Sequence, residues 1–155
     1  MNTEHRTLPP ELLLEEYRRL LQNDRVEALP LVISGSSMTP FLVHGRDTVY
    51  LSGVKEPLKR GDMAFYRREN GRCILHRVYR VEGACYTMVG DAQTQLEPGI
   101  RQEQILARVT AVRRKGKLLQ KGSFWWDFFE KIWIRAVPVR PAVRAVYSAF
   151  YRLFN

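Results

Sequence analysis

The residue types that could carry out acyl transfer lie in the middle of this 155-residue chain. Ser37 supplies a hydroxyl, and His76 supplies an imidazole, whose ordinary pKa lies near neutrality. Asp91 and Glu97 supply carboxylates. An acyl-transfer enzyme needs a nucleophile, a base that takes its proton, and a carboxylate that orients the base. We therefore predict that His76 takes the proton of Ser37 and later donates it to the leaving amine, while one of the two carboxylates holds the imidazole.

Ser37 belongs to the segment 33–42, in which a β-branched run leads into three serines, a glycine and a proline. Gly35 permits a positive φ or a close backbone approach, and Pro40 fixes φ and keeps Thr39 out of helical geometry. The pattern therefore predicts a sharp, rigid turn after a strand, where the Ser37 hydroxyl projects and backbone N–H groups converge. An ordinary loop is the alternative interpretation.

Four segments, in this order, resemble the motifs of the signal peptidase family, within the serine-protease group that also includes the LexA-type self-cleaving repressors. They are Ser37-Met38-Thr39-Pro40 after a glycine, Gly61-Asp62 before a β run, His76-Arg77-Val78, and Gly90-Asp91-Ala92 with an acid six residues after the aspartate. The first motif is quite specific, and the resemblance extends from about Leu31 to Lys117. Because His76 stands where the bacterial housekeeping enzymes carry a lysine, the match is to the endoplasmic-reticulum and archaeal branch.

The resemblance implies that Ser37 is the nucleophile and His76 the general base. The acid six residues after Asp91 is Glu97, where that branch usually has aspartate, and Asp91 stays a supporting carboxylate. Gly35 stands where some relatives have a serine that assists the oxyanion hole. Backbone N–H groups, chiefly that of Ser37, are therefore expected to form it, unless Ser34 or Ser36 assists. The residues expected to contact the substrate or the oxyanion are Gly35, Ser36 and Met38. The resemblance implies no metal and no other cofactor.

The elements that must position these residues are mainly β. Short β-like runs are separated by glycine-containing turns, and Asn70-Gly71 is a strong hairpin signal. The expected strands are 48–51, 63–66, 73–75, 78–81, 85–89 and 105–112. An amphipathic helix is predicted from Pro9-Pro10 to about Asn23. We therefore predict a mainly β protein, with a signal-peptidase-like antiparallel β domain (31–122) between an N-terminal helix and lead-in (1–30) and an amphipathic helical tail (123–155).

The predicted tail contains all three tryptophans and ten of the seventeen aromatic residues. Pro138 and Pro141 divide it into two helical pieces, and the second has an apolar face made of Val143, Val146, Tyr147, Phe150 and Phe154. A basic cluster precedes it: Arg113, Arg114, Lys115, Lys117 and Lys121. Aromatic and basic side chains together suit an anionic membrane surface, on which we expect residues 113–155 to lie. Packing of both pieces on the β domain or on another copy is the alternative.

Net charge, cysteine content and apolar runs limit which partners and which cellular compartment are expected. The net charge is +9, although acids outnumber Lys and Arg by six to four in residues 1–30. Two cysteines without metal-ligand spacing are expected to be reduced thiols. Neither an apolar signal sequence nor an apolar run long enough to span a membrane is apparent. We expect a cytoplasmic protein, peripherally associated with the membrane, whose substrate is a peptide or preprotein such as the leader of a ribosomally made, modified peptide.

Two other interpretations compete with a serine endopeptidase that binds an extended peptide by strand addition and cuts after small residues. A non-catalytic, peptidase-like module that binds a peptide or a membrane is supported by Glu97 and by the missing spanning anchor, but the presence of both Ser37 and His76 argues against it. A self-cleaving repressor fits least, because residues 1–30 contain no helix-turn-helix and that group uses a lysine base. Nucleic acid is therefore not an expected partner.

Overall fold

The computed structural model describes residues 10–21 and 27–154, and within them one eight-stranded antiparallel sheet lies between helical segments. The strands are β1 (Leu29–Val32), β2 (Thr48–Ser52), β3 (Met63–Arg67), β4 (Cys73–Glu82), β5 (Cys85–Val89), β6 (Glu97–Arg101), β7 (Ile105–Arg114) and β8 (Lys117–Gln120). Their order is β1-β2-β7-β3-β4-β5-β6, and β8 pairs with β7. The predicted mainly β fold is confirmed.

The strands differ from the prediction where the sequence lacks a β pattern. The predicted runs 73–75 and 78–81 form one strand, β4, because Leu75, His76 and Arg77 continue the ladder with β3. Strand β6 was not predicted, since Pro98 and Gly99 interrupt it, and it lies at the edge of the sheet, where proline is tolerated. Strand β8 was also not predicted. The hairpin at Asn70-Gly71 is confirmed, with β3 and β4 paired on either side.

The N-terminal helix α1 spans Pro10–Leu21, and the predicted ends, Pro9 and Asn23, lie outside the described residues. Tyr17 donates a hydrogen bond to the carbonyl of Pro30 at 3.2 Å. Tyr17 and Leu21 also pack against the main core, which gathers buried side chains of β2 and β7, of the turn that contains Met38, and of the tail. The helix thus packs next to the strand that leads to Ser37.

The C-terminal tail starts as α2 (Phe124–Asp127), continues as a π turn (128–132) and 3₁₀ turns (133–139), and ends as α3 (Arg140–Phe154). Trp126 and Phe129 of the first piece pack with Phe41 in the main core, whereas Phe124, Trp125 and Ile132 of the same piece are exposed. The second piece, α3, leaves four apolar side chains of its predicted face exposed: Val143, Val146, Tyr147 and Phe150. The side chain of Phe154 lies outside the described part. Pro138 and Pro141 fall where the two pieces meet.

Among the described residues, none of the helices has both the length and the apolar character needed to cross a bilayer.

Candidate active site

The turn that carries Ser37 lies between β1 and β2, and hydrogen bonds within the turn and to His44 hold it. Gly35 has a φ of 87°, in the left-handed region that favours glycine, and its N–H donates to Nδ1 of His44 at 3.0 Å. Thr39 donates twice to the carbonyl of Ser36, from its N–H at 3.1 Å and from its hydroxyl at 2.5 Å. The Thr39–Pro40 peptide bond is cis. The turn therefore leaves Ser37 half-buried while the next side chain, Met38, is buried in the core.

A buried carboxylate ties the far end of this turn to the sheet. Asp47 accepts hydrogen bonds from the backbone N–H groups of Val43 and Lys115 and from the guanidinium of Arg46. Burial by itself would raise the pKa of Asp47, but these hydrogen bonds outweigh it and the pKa falls below its usual range. Asp47 thus stays ionised and holds the turn against the β7–β8 hairpin.

Gly90 brings Ser37 and His76 together. A Cβ at Gly90 would lie 2.5 Å from the carbonyl oxygen of Ser37 and 3.1 Å from Nε2 of His76, so both groups flank the same backbone position. The N–H of Ala92 donates to that carbonyl at 2.9 Å. Within the described residues, the Ser37 hydroxyl has no hydrogen bond to His76, and the N–H groups of Ser37 and Met38 reach no acceptor. These N–H groups are therefore available to an oxyanion, whereas that of Gly35 is occupied by His44.

His76 lies on β4 with 3% of its surface exposed. Its Nδ1 is 3.2 Å from the hydroxyl of Tyr66, and that hydroxyl donates to Oε2 of Glu97 at 2.7 Å. Because a tyrosine has one O–H and here gives it to Glu97, its oxygen must accept the Nδ1–H of the imidazole. This assigns the tautomer with Nδ1 protonated. The unprotonated Nε2 then faces Gly90, which also lies against the backbone carbonyl of Ser37. A general base must present an unprotonated nitrogen of this kind on the side of the nucleophile.

Glu97 contacts this imidazole through Tyr66. Its Oε2 is 3.9 Å from Nδ1 of His76, and Arg68 binds both of its oxygens, at 2.6 and 2.7 Å. Burial alone would raise the pKa of Glu97, but the hydrogen bonds from Arg68 and Tyr66 bring it below its usual range. Burial lowers the pKa of His76 to about 4, and the negative charge of Glu97 offsets part of this effect. At neutral pH, His76 is therefore neutral and Glu97 is ionised.

Asp91, the other candidate carboxylate, is fully buried and pairs with Arg77 through two hydrogen bonds of 3.0 Å. Arg77 also donates to the carbonyl of Gly61 at 2.8 Å. Three of the motif segments that the sequence singled out are therefore joined at this one guanidinium. Asp91 forms no hydrogen bond with His76 among the described residues, and its carboxylate holds the loop 90–93 onto β4.

The C-terminal tail clamps the same loop from another side. Trp133 donates its indole N–H to the carbonyl of Asp91 at 2.8 Å. Arg140, of which 1% is exposed, donates to the carbonyls of Gly90 and Gln93 at 2.9 and 2.6 Å and lies over the Trp133 ring, with its guanidinium carbon 5.0 Å from the ring centre. The tail therefore fixes the loop that touches Ser37 and His76.

A cleft of about 240 Å³ opens at Ser37. Its lining is mostly apolar and comes from both sides of the site: Leu31, Val32, Ile33, Ser34, Gly35, Ser37, Met38, Phe65, Cys73, Ile74 and Leu75. Among the described strands, β1 pairs only with β2, and residues 73–76 of β4 pair only with β3. Both walls thus carry a strand edge without a sheet partner, and an extended peptide can add to such an edge.

Several residues of this site were not predicted: His44, Tyr66, Arg68, Trp133 and Arg140. Only Tyr66 could have been predicted from the sequence, and only if the pairing register of β3 with β4 were known. Once Ala64 pairs with His76, the residue two positions further along β3 points to the same face and reaches the imidazole diagonally. No group of three or more potential metal ligands occurs among the described residues.

No model of a known protein family matches the chain, and no curated protein sequence matches it.

Proposed function

We propose that the protein is a serine endopeptidase of signal-peptidase type, which hydrolyses a peptide bond in an extended, leader- or signal-like peptide. The observation that carries this proposal is the hydrogen bond between Tyr66 and His76, because it leaves Nε2 unprotonated on the side of Gly90 and Ser37. An unprotonated nitrogen on this side of the ring is what a base for the Ser37 hydroxyl must offer.

In the proposed reaction, the substrate lies along the free edges of β1 and β4 with its scissile carbonyl at Ser37. The hydroxyl oxygen attacks this carbonyl while Nε2 of His76 takes its proton, and the free N–H groups of Ser37 and Met38 stabilise the oxyanion. The imidazolium then protonates the leaving amine, which departs from the acyl-enzyme. A water molecule, deprotonated by His76, hydrolyses the ester and regenerates the Ser37 hydroxyl.

The remaining polar residues support the charge that develops on His76. Protonation at Nε2 makes the imidazole cationic, and Glu97, linked through Tyr66, supplies the compensating negative charge. Arg68 keeps Glu97 ionised and oriented. Because Glu97 acts through Tyr66, it is a positioning and charge-compensating residue, and it suits this role better than Asp91, whose carboxylate is bound to Arg77.

A non-catalytic peptide-binding module is the second candidate. One observation favours it: no hydrogen bond joins the Ser37 hydroxyl and His76 within the described residues. A binding module would use the same cleft and the same strand edges without turnover.

We also propose peripheral attachment to an anionic membrane surface through the tail, at the cytoplasmic face that the sequence favours. Phe124, Trp125 and Ile132 are exposed although they are large and apolar. Exposed basic side chains flank them in the sequence: Lys115, Lys117, Lys121 and Lys131. Aromatic side chains at headgroup level and cations on phosphates are the usual combination of an interfacial segment.

Incubation of the purified protein with a diverse pool of unstructured peptides, followed by mass spectrometry of new termini, tests the catalytic proposal. Ser37→Ala is compared with wild type, and Ser123→Ala, at a serine in the turn before α2, serves as the matched control. We expect new termini with wild type and Ser123→Ala and none with Ser37→Ala. If wild type yields no termini while the pool still binds, the binding-module candidate replaces the peptidase.

A further inference from the structure

A second cleft, of about 570 Å³, is lined by the residues of the turn that follow those lining the first cleft. The first cleft is lined by the turn as far as Met38, and the second is lined by the next two residues, Thr39 and Pro40. Ala92 of the clamped loop lines it as well. Its opposite wall belongs to the tail and includes Trp133, Val143, Arg144 and Tyr147.

We propose that this second cleft binds the part of the peptide substrate that follows the scissile bond, and that it favours an aromatic or aliphatic side chain with a carboxylate next to it. The inference rests on the peptidase function proposed above, and it assigns to the C-terminal tail a role in substrate selection.

The position of the cleft follows from the direction of the reaction. The acyl part of the substrate occupies the cleft between β1 and β4, and the leaving amine receives its proton from Nε2 of His76. That nitrogen faces Gly90, and the loop continues through Asp91 to Ala92, which holds the carbonyl of Ser37 and lines the second cleft. The amine half of the substrate is therefore adjacent to the second cleft when it leaves.

Hydrogen bonds hold the tail wall of the cleft against the loop 90–93. Trp133 and Arg140 are both hydrogen-bonded to the loop 90–93, and Arg140 is the first residue of α3. Val143 and Tyr147 follow it on one helical face, since they are four residues apart. The hydrogen bonds thus fix the end of α3 that forms the wall, although Tyr147 itself is 70% exposed and free to cover a bound side chain.

The charge at this cleft points to an acidic residue in the substrate. Arg140 is buried and its hydrogen bonds go to backbone carbonyls, and Asp91 is neutralised by Arg77. Arg144 is exposed and pairs with no carboxylate among the described residues. It is therefore the cation of the lining that a substrate carboxylate would meet, while Trp133, Val143 and Tyr147 supply apolar contacts.

The first test compares cut sites in the peptide pool. Tyr147→Ala removes an apolar wall and Arg144→Gln removes the cation, while Val146→Ala and Arg152→Gln change exposed residues of α3 that do not line the cleft. We expect wild type and both controls to favour aromatic or aliphatic residues with an acid just after the cut. Tyr147→Ala should lower the apolar preference about tenfold, and Arg144→Gln the acid preference about threefold, with preferences before the cut unchanged.

The second test measures binding without turnover. Fluorescence anisotropy follows a labelled peptide of alternating phenylalanine and glutamate, and one of alternating serine and lysine, on Ser37→Ala with and without Arg144→Gln. Tighter binding of the first peptide, weakened by Arg144→Gln, supports the second cleft even if wild type cuts nothing and the peptidase proposal fails.

Three outcomes overturn the inference. One is cutting that ignores the residues after the bond, and another is equal binding of the two labelled peptides. The third is that Tyr147→Ala and Arg144→Gln reduce binding to phosphatidylserine vesicles while leaving peptide preference intact, which would assign this face of α3 to the membrane.

Discussion

The hydroxyl of Tyr66 lies 3.2 Å from Nδ1 of His76, at the position where a serine–histidine–acid catalyst has its carboxylate. Tyr66 cannot both donate to Glu97 and donate to the imidazole, because it has a single O–H. The neutral Tyr66 hydroxyl therefore fixes the tautomer of His76. The negative charge nearest the imidazole belongs to Glu97, which binds the far side of that hydroxyl.

Replacing Tyr66 by phenylalanine removes this link without leaving a cavity. We expect kcat for peptide cleavage to fall about 10- to 100-fold, a part of the 10²–10⁴ that a general base contributes, because Nδ1 loses its acceptor. KM should stay the same, since Tyr66 does not line the cleft at Ser37. Tyr50→Phe removes a surface hydroxyl that binds Arg113 and is the matched control. An unchanged kcat in Tyr66→Phe would contradict the assigned tautomer.

The pH dependence of the rate reports the state of His76. Its unperturbed pKa predicts loss of activity below about pH 6–7. Burial lowers the pKa to about 4, so the base stays neutral, and kcat/KM should be constant from pH 7 to about pH 5 and fall only near pH 4. Glu97→Gln removes a charge that raises this pKa and should move the acid limb lower. Initial rates between pH 3.5 and 8 provide the measurement, and a limb near pH 6.5 would show that the buried, uncharged site is not the working form.

The same shift predicts how stability depends on pH. His76 takes up a proton at about pH 6.5 when unfolded and at about pH 4 when folded, so the unfolded chain binds more protons between these values. Stability should therefore fall as the pH is lowered from 6.5 to 4, by about 3 kcal/mol in total. Glu97, whose pKa is depressed, adds to the loss only below about pH 4.5. Urea unfolding of wild type and His76→Gln should give converging free energies at low pH, and parallel pH profiles would be inconsistent with a titrating His76.

Substitutions of Asp91 and Glu97 should have opposite effects: the first should lower mainly the free energy of unfolding, and the second mainly kcat. Asp91→Asn leaves the buried Arg77 charge without its partner and should lower the free energy of unfolding by about 3–5 kcal/mol. Glu97→Gln should cost much less stability but reduce kcat, because Glu97 is partly exposed and acts on the imidazole through Tyr66. Asp127→Asn, at a partly exposed acid paired with Lys131, is the control for loss of an ion pair of similar exposure outside the site. The reverse pattern would make Asp91 the orienting acid.

Membrane attachment predicts a dependence on lipid charge. The protein should sediment with vesicles that contain phosphatidylserine and not with phosphatidylcholine alone, and binding should weaken as salt is raised. Lys117→Glu reverses one charge and should weaken binding about tenfold or more, since each basic residue near the surface contributes about 1 kcal/mol. Trp125→Ser should also weaken it, whereas Lys59→Glu, at an exposed lysine outside residues 113–155, should not. Equal sedimentation with both kinds of vesicle would contradict attachment to an anionic membrane surface.

Local sequence was sufficient for the parts of this protein that depend on local geometry. Short β-like runs and glycine turns predicted most strands, since β-branched and aromatic residues favour strands and turns need particular residues. Gly35 and Pro40 predicted the turn at Ser37, because their allowed φ values act on the chain next to them. His76 was assigned as base from its residue type and its place in the motif order.

Contacts between segments that are distant in the chain could not be predicted from sequence, because they depend on how the strands and the tail pack together. Strand β6 has no β pattern of its own and forms because β5 offers it a partner edge, which brings Glu97 toward Tyr66. The sequence could not decide which carboxylate lies nearer the imidazole, because this depends on their hydrogen-bond partners in the fold. Asp91 is bound by the buried guanidinium of Arg77, whereas Glu97 is bound by Arg68 and Tyr66. The composition of the tail suggested one amphipathic surface. Packing buried Trp126 and Phe129 of its first half. It also hydrogen-bonded Trp133 and Arg140 to the loop 90–93, because indole and guanidinium donors there meet carbonyls 42 to 50 residues earlier in the chain.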